Sequence, residues 1–297
     1  MAGLLTGHSA SNINIHSGCP SIKYQLLPTP SCKGNANTLH SRRSGIRCHA
    51  SETNSMSSIQ EFGPRSSAEE VKKEILRCYD LIKKLGKGVV YLGSSRTDSD
   101  HPHFVQAMEL GRQVALLLDC TTWTGAGPGL MDAVIKGAQK AGKPVGGFKI
   151  GREAGMWTSS NFHPYLENHV YCTCRFFSAR KHGLVDAAVR DEPSERTAFV
   201  AFPGGLGTVD EVFEILTLKQ LQRIGSKYPV PFLLMNYDGF YTKLLDFLGT
   251  CKERGAVFEG EVEGLWTVCE TNGDALRYLA DFYGIEGMVG GRLQVPV

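Results

Sequence analysis

Between Phe202 and Glu214 the chain reads FPGGLGTVDEVFE, with three glycines and a threonine packed into positions 204–208 and acids at Asp210, Glu211 and Glu214. Glycines at the mouth of a helix let the backbone take positive φ and let a ligand approach without meeting a Cβ. The helix start behind them offers unpaired N–H donors and a partial positive charge, so an anion such as phosphate is the natural occupant. The dipole alone is worth only about 0.3–2 kcal/mol. Several N–H groups, the Thr208 hydroxyl and a nearby cation must therefore share the task. Glu211 has two readings. Three positions after Thr208, it completes a Thr-x-x-Glu capping box. Beside an anion loop, it is also a carboxylate placed to meet a cationic transition state.

Upstream, FFSARKHG sets Arg180 and Lys181 side by side near a helix start. Adjacent cations there oppose the dipole. A solvated face is the ordinary reason for such a pair, and a site holding phosphate and carboxylate supplies another. Two more glycine-bearing loops follow apolar runs, GSSR at 93–96 and TGAGPGLMDA at 124–133. The second matches the dinucleotide fingerprint only loosely. Gly125, Gly127 and Gly129 are spaced by twos, and no acidic residue ends a next strand about twenty positions on, which disfavours NAD. GxxxxGK[ST] is missing, which argues against a nucleoside triphosphatase. Cys172 and Cys174 form Cys-x-Cys in HVYCTC; on a strand both sulfurs share one face. No further ligand stands at a metal-binding spacing, so no metal is expected and the pair reads as structural thiols. Of the nine cysteines, Cys78, Cys120, Cys251 and Cys269 read as reduced core thiols. His163, His169 and His182 read as surface or core residues.

The elements that must position these residues alternate along the chain. Short apolar runs rich in β-branched and aromatic residues (GVVYLG, KPVGGFKI, HVYCTC, TAFVAF, VPFLLMN) are separated by segments of helical period. Runs that are apolar throughout are strands buried on both faces, and their order implies parallel crossovers. The fold class expected is α/β, a doubly wound Rossmann-like sandwich with a mostly parallel sheet and helices on both faces. One domain spans 66–284, opened by a helix with Ser67 and Glu70 as its capping box, and 285–297 is expected to be a flexible tail. In such sheets ligands sit beyond the carboxyl ends of the strands, where all three glycine loops fall.

The first fifty residues differ in kind. They hold Lys23, Lys33, Arg42, Arg43 and Arg47 and no acid before Glu52. That composition, with an uncharged hydroxylated opening, suits a removable transit peptide over 1–50, for a plastid rather than a mitochondrion. A Ser-rich linker at 51–65 would join it to the domain. Removing those five charges from the 32 Lys and Arg leaves 27 against 30 acids, near −3. No broad nucleic-acid or membrane surface is implied.

In order and spacing, GSS, TGAGPGLMDA, Arg180-Lys181 and PGGLGTVDE followed by EILTLKQLQ resemble the "lonely guy" cytokinin-activating phosphoribohydrolases, often mislabelled lysine decarboxylases. The resemblance covers roughly 88–240. It implies hydrolysis of the N-glycosidic bond of a nucleoside 5′-monophosphate, to free base and ribose 5-phosphate, by a cofactor-free homodimer with sites near the interface. It assigns Arg180 and Glu211 as the catalytic pair with Lys181 beside them, and Gly204, Gly205, Gly207 and Thr208 to phosphate. Thr217 would face the nucleotide; Ser94, Gly125, Gly127, Leu206, Val209 and Asp210 complete the expected substrate-binding set. Phe177 and Ala126 stand where relatives usually have Met and Gly, and 151–170, where relatives contact the base, gives no clean match. A nucleotide-binding or sensing module without turnover is the second reading. Keeping both Arg180 and Glu211 favours catalysis, since holding phosphate alone needs no carboxylate.

Overall fold

Strands alternate with helices along the described chain except between Val145–Ile150 and Tyr171–Cys174, which follow one another with no described helix between them. The computed structural model describes residues 68–151, 162–258 and 260–286 in full, and the backbone of 288–289 and 292–293. The expected transit segment, the linker and Ser67 lie outside the described residues. The elements run α1 (Ala68–Leu85), β1 (Gly88–Leu92), α2 (Pro102–Leu118), β2 (Thr121–Thr124), α3 (Leu130–Lys140), β3 (Val145–Ile150), β4 (Tyr171–Cys174), α4 (Phe177–Asp186) and β5 (Ala198–Ala201). Then follow α5 (Leu206–Gln220), β6 (Phe232–Met235), α6 (Thr242–Glu253), β7 (Thr267–Cys269) and α7 (Asn272–Tyr283).

Seven strands form one sheet in the order β4-β3-β2-β1-β5-β6-β7, every neighbouring pair parallel. The chain winds outward from β1 to β4, then restarts at β5 on the other side of β1. The order therefore reverses between β1 and β5, which is where an open sheet leaves a crevice. Successive side chains of a strand face opposite ways. Val89 and Tyr91 accordingly join one core with α2, α3 and α7, while Val90 and Leu92 join another with α1, α4 and α5. Glycines let α2 and α3 close on each other: a Cβ on Gly137 would lie 2.0 Å from the Met108 carbonyl oxygen. No described helix is long and apolar enough to cross a membrane.

Three sequence expectations change. The helix carrying Arg180 stops at Asp186 instead of running on to Arg190. The Ala187 carbonyl beyond it accepts from Gly88 N–H at 2.9 Å, so the chain turns back to the sheet to feed β5. The C-terminal stretch expected to be a flexible tail carries a short antiparallel pair, β8 (Met288–Val289) with β9 (Arg292–Leu293). Cys172 and Cys174 do have a third sulfur beside them, that of Cys78 on α1. The spacing rule missed it because the ligand comes from a distant helix.

Candidate active site

The three glycine loops meet at the reversal point and are tied to one another through their backbones. Ser94 N–H donates to the Pro203 carbonyl at 3.1 Å, and the Ser94 carbonyl accepts from Leu130 N–H at 2.8 Å. Gly129 adopts φ +71°, and a Cβ there would lie 2.3 Å from the same Ser94 oxygen. Close approach thus requires glycine at this position. A cavity of about 410 Å³ opens above the joined loops, with Ser94, Arg96, Arg180, Thr208 and Glu211 in its wall.

Helix α5 begins at Leu206, with Gly205 as its N-cap, no side-chain cap and no acid in its first turn. Gly205, Leu206, Gly207 and Thr208 all line the cavity. The first-turn N–H groups, which have no intrahelical partner, therefore face it with no acid in their own turn to offset the dipole's positive end. Thr208 is the third residue of the helix and so is not its cap. This removes the capping-box reading of Glu211. Gly204 supports the loop from behind, since a Cβ there would meet Thr208 Oγ1 at 2.2 Å.

Glu211 instead turns inward. Its Oε1 lies 2.9 Å from Arg180 Nη1, and the two side chains are only 8% and 6% exposed. Arg180 is held on three further sides: its Nε donates to the Phe148 carbonyl at 3.0 Å, its Nη2 contacts Met131 Sδ at 3.8 Å, and its guanidinium stands 5.4 Å from the Phe177 ring centre. Breaking a buried pair by removing one partner costs about 3–5 kcal/mol, because the survivor is left charged and uncompensated. Lys181 points elsewhere, to Asp210 at 3.0 Å and Glu214 at 3.2 Å on the flank of α5. Burial pulls its ammonium down, but these two hydrogen bonds outweigh that and hold it above its ordinary value. Two cations on α4 thus match three acids on α5. One pairing faces the cavity and the other faces outward.

The family model described as "possible lysine decarboxylase" matches residues 131–279, half of the 297-residue chain. The chain belongs to this family. Among curated relatives, cytokinin riboside 5′-monophosphate phosphoribohydrolase LOG4 of Arabidopsis thaliana is 27% identical over 174 residues, covering 59% of this chain and 73% of that protein. A probable cytokinin riboside 5′-monophosphate phosphoribohydrolase, LOG4 of Oryza sativa subsp. japonica, is 29% identical over 198 residues, 65% of this chain and 75% of that protein. Other alignments are shorter, as with LOG3 of Arabidopsis thaliana, 40% identical over 60 residues and spanning 26% of that protein. Among solved structures, the molybdenum cofactor carrier protein of Chlamydomonas reinhardtii aligns with TM-score 0.44 and 22% identity over 67% of this chain and 99% of that chain.

In this member of the possible lysine decarboxylase family, the expected site residues divide into groups. Arg180, Glu211, Ser94, Gly205, Leu206, Gly207 and Thr208 share the cavity wall. Gly204 and Gly125 stand behind it; a Cβ on Gly125 would lie 1.8 Å from Arg180 Nη2, so that glycine makes room for the guanidinium. Lys181, Gly127, Val209, Asp210 and Thr217 do not line the cavity among the described residues. Thr217 sits on the exposed face of α5. The base-contacting stretch expected at 151–170 includes 152–161, which lie outside the described residues. Ala126, where the resemblance leads one to expect Gly, takes φ +49°, a conformation that suits glycine better than alanine.

Two contributors lie outside the expected set. Arg96, last of the GSSR run, lines the cavity and supplies a cation at an exposed position; its place after a strand-end glycine loop was the available signal. Glu74 on α1 is buried, and its carboxylate accepts from the N–H groups of Arg175 and Phe176 at 3.0–3.1 Å, at the start of α4. A carboxylate at that N-terminus offsets the cost of placing Arg180 and Lys181 nearby. Nothing local in the sequence marks Glu74, which lies on an otherwise ordinary charged helix.

Proposed function

We propose that this chain hydrolyses the N-glycosidic bond of a nucleoside 5′-monophosphate to free base and ribose 5-phosphate. One observation carries the reading: a buried carboxylate, Glu211, faces the same cavity as the uncapped N-terminus of the helix that bears it. The relatives named as phosphoribohydrolases act on substrates with both features such a site answers, a phosphate and a glycosidic carbon. The 5′-phosphate lies against the N–H groups of Leu206, Gly207 and Thr208 and the Thr208 hydroxyl, with Arg96 at the edge. As the C1′–N bond breaks, its electron pair leaves with the base and positive charge grows on the ribose ring. Glu211 stabilises that charge and takes a proton from the water that attacks C1′, while the departing base nitrogen takes up a proton from solvent. Arg180 fixes the Glu211 carboxylate and offers its remaining N–H groups to ribose or phosphate oxygens. Adenine-type bases, N6-prenylated ones included, are the substrate class proposed. Lysine decarboxylation would need a Schiff-base lysine, and no lysine lines the cavity among the described residues. A homodimeric assembly and import into a plastid belong to the same proposal.

Incubating the full chain with AMP or isopentenyladenosine monophosphate and measuring ribose 5-phosphate and base tests it. Glu211→Gln keeps a hydrogen-bonding partner for Arg180 but loses the charge. It is expected to cut turnover by about 10²–10⁴-fold while nucleotide binding by calorimetry stays within a fewfold of the parent. Nucleotide binding by the parent with no release of ribose 5-phosphate would favour the sensing module. Equal loss of binding and turnover in the variant would make Glu211 a structural residue.

A further inference from the structure

The three-sulfur cluster lies behind the active site rather than in it. Cys78 Sγ, from α1, is 3.8 Å from Cys172 Sγ and 3.8 Å from Cys174 Sγ on β4, and all three sulfurs fall within 4.8 Å of one another. With metal–sulfur bonds of about 2.3 Å, sulfurs in a tetrahedral shell stand about 3.8 Å apart and those in a trigonal plane about 4.0 Å. The cluster therefore has the spacing of a coordination shell. Cys78 and Cys174 are 1% exposed, and Cys172, half-buried, gives the cluster an outer edge. Gly183 makes the approach of α4 possible, because a Cβ there would lie 2.9 Å from the Cys78 Cβ.

We propose that Cys78, Cys172 and Cys174 bind a thiophilic d¹⁰ cation, Zn(II) or Cu(I), that clamps α1 against β4 and the start of α4. Three thiolates are a full set for trigonal Cu(I) and three of the four ligands of tetrahedral Zn(II). Each thiol that binds does so as thiolate and releases its proton to solvent. The clamp bears on the active site by position. Cys78 Sγ contacts the Ala179 carbonyl at 3.8 Å, one residue before Arg180, and Cys174 ends the strand that leads into α4.

The test is titration of the reduced full-length chain, without oxygen, with Co(II) as a spectroscopic stand-in for Zn(II) and separately with Cu(I) against a chromophoric chelator. One ion per chain is expected, with thiolate-to-cobalt charge-transfer absorption in the near ultraviolet. Cys172→Ser and Cys174→Ser should each weaken binding by more than the about 10- to 100-fold that loss of an outer-shell partner costs. Cys251→Ser, and the chain carrying Cys19→Ser, Cys32→Ser and Cys48→Ser together, should bind like the parent. Zn(II) should raise the thermal midpoint of the parent and not that of Cys172→Ser, whose circular dichroism reports whether it has folded. Stronger retention in the Zn(II) arm or in the Cu(I) arm identifies the ion. The proposal is overturned if neither ion binds the reduced chain, if binding survives loss of Cys172, or if the cluster only forms a disulfide.

Discussion

Arg180 and Glu211 are far apart in sequence, and their pairing depends on how much room the chain leaves around the guanidinium. Gly125 sets that room. Adding one methyl, Gly125→Ala, puts a Cβ 1.8 Å from the present place of Arg180 Nη2, so the guanidinium must leave its hydrogen bond to the Phe148 carbonyl or its pairing with Glu211. Turnover is expected to fall by at least about tenfold, in kcat more than in KM, since a small misplacement of a positioning group is costly. Steady-state kinetics beside a melting curve check this; a variant with parental kcat would show that Arg180 tolerates displacement. Lys181 gives the opposite expectation. Its partners Asp210 and Glu214 are partly exposed, so Lys181→Ala should lose under about 1 kcal/mol of stability and leave KM within about twofold of the parent. A large rise in KM would return Lys181 to the substrate-binding set. These two residues also show what the sequence could convey. The adjacent cations and the three acids were visible as unusual features. That one pair would face inward and the other outward depends on α5 starting at Leu206, three residues earlier than a Thr208 cap implies.

At the scale of elements, β1, β5 and β6 were readable because they are buried along their whole length and so contain little but apolar and small residues. Contributions from α1 were not readable, because Glu74 and Cys78 act on elements about a hundred residues later, and helical period says nothing about such partners. The segment leading into β4 carries a further hidden contact. His163 Nδ1 accepts from Leu166 N–H at 3.0 Å, and His163 N–H donates to the Tyr171 hydroxyl at 2.8 Å. Burial lowers the imidazole from 6.5 to about 4, with Asp132 opposing and Lys149 adding to the effect. The folded value is depressed, so on acidification the unfolded chain takes up the proton first. The contribution of His163 is intact above pH 6.5 and is lost as pH falls from 6.5 towards 4, by up to roughly 3 kcal/mol. Denaturant midpoints of the parent and of His163→Asn, whose Oδ1 can replace Nδ1 as acceptor, should differ in slope within that window and run parallel above it. Parallel curves throughout would place the histidine in a solvated setting.

At the scale of the whole molecule, the site lies at the edge of a surface that one chain does not fully cover. Leu206 lines the cavity yet is 91% exposed, and Leu221 at the other end of α5 is 60% exposed. Helix α6 has no buried residue, and its Phe247 is 58% exposed. Large apolar side chains left exposed on α5 and α6 are what contact with a second copy of the chain would cover. It could not be read from hydrophobic period, because a residue buried by a second chain has the same type and spacing as one buried by the first. A twofold interface uses each patch twice, so burying Phe247 and its copy would contribute about 1.5–3 kcal/mol each. The full chain is therefore expected to sediment at twice its 32.4 kDa mass at micromolar concentration. Phe247→Glu should shift it to the single-chain mass while its circular dichroism is unchanged. If the partner helps close the cavity beside Leu206, turnover in that variant should fall with the dimer fraction as the protein is diluted. A parent chain that sediments as a monomer would leave the exposed helices unexplained by self-association and confine the proposed hydrolysis to groups of one chain.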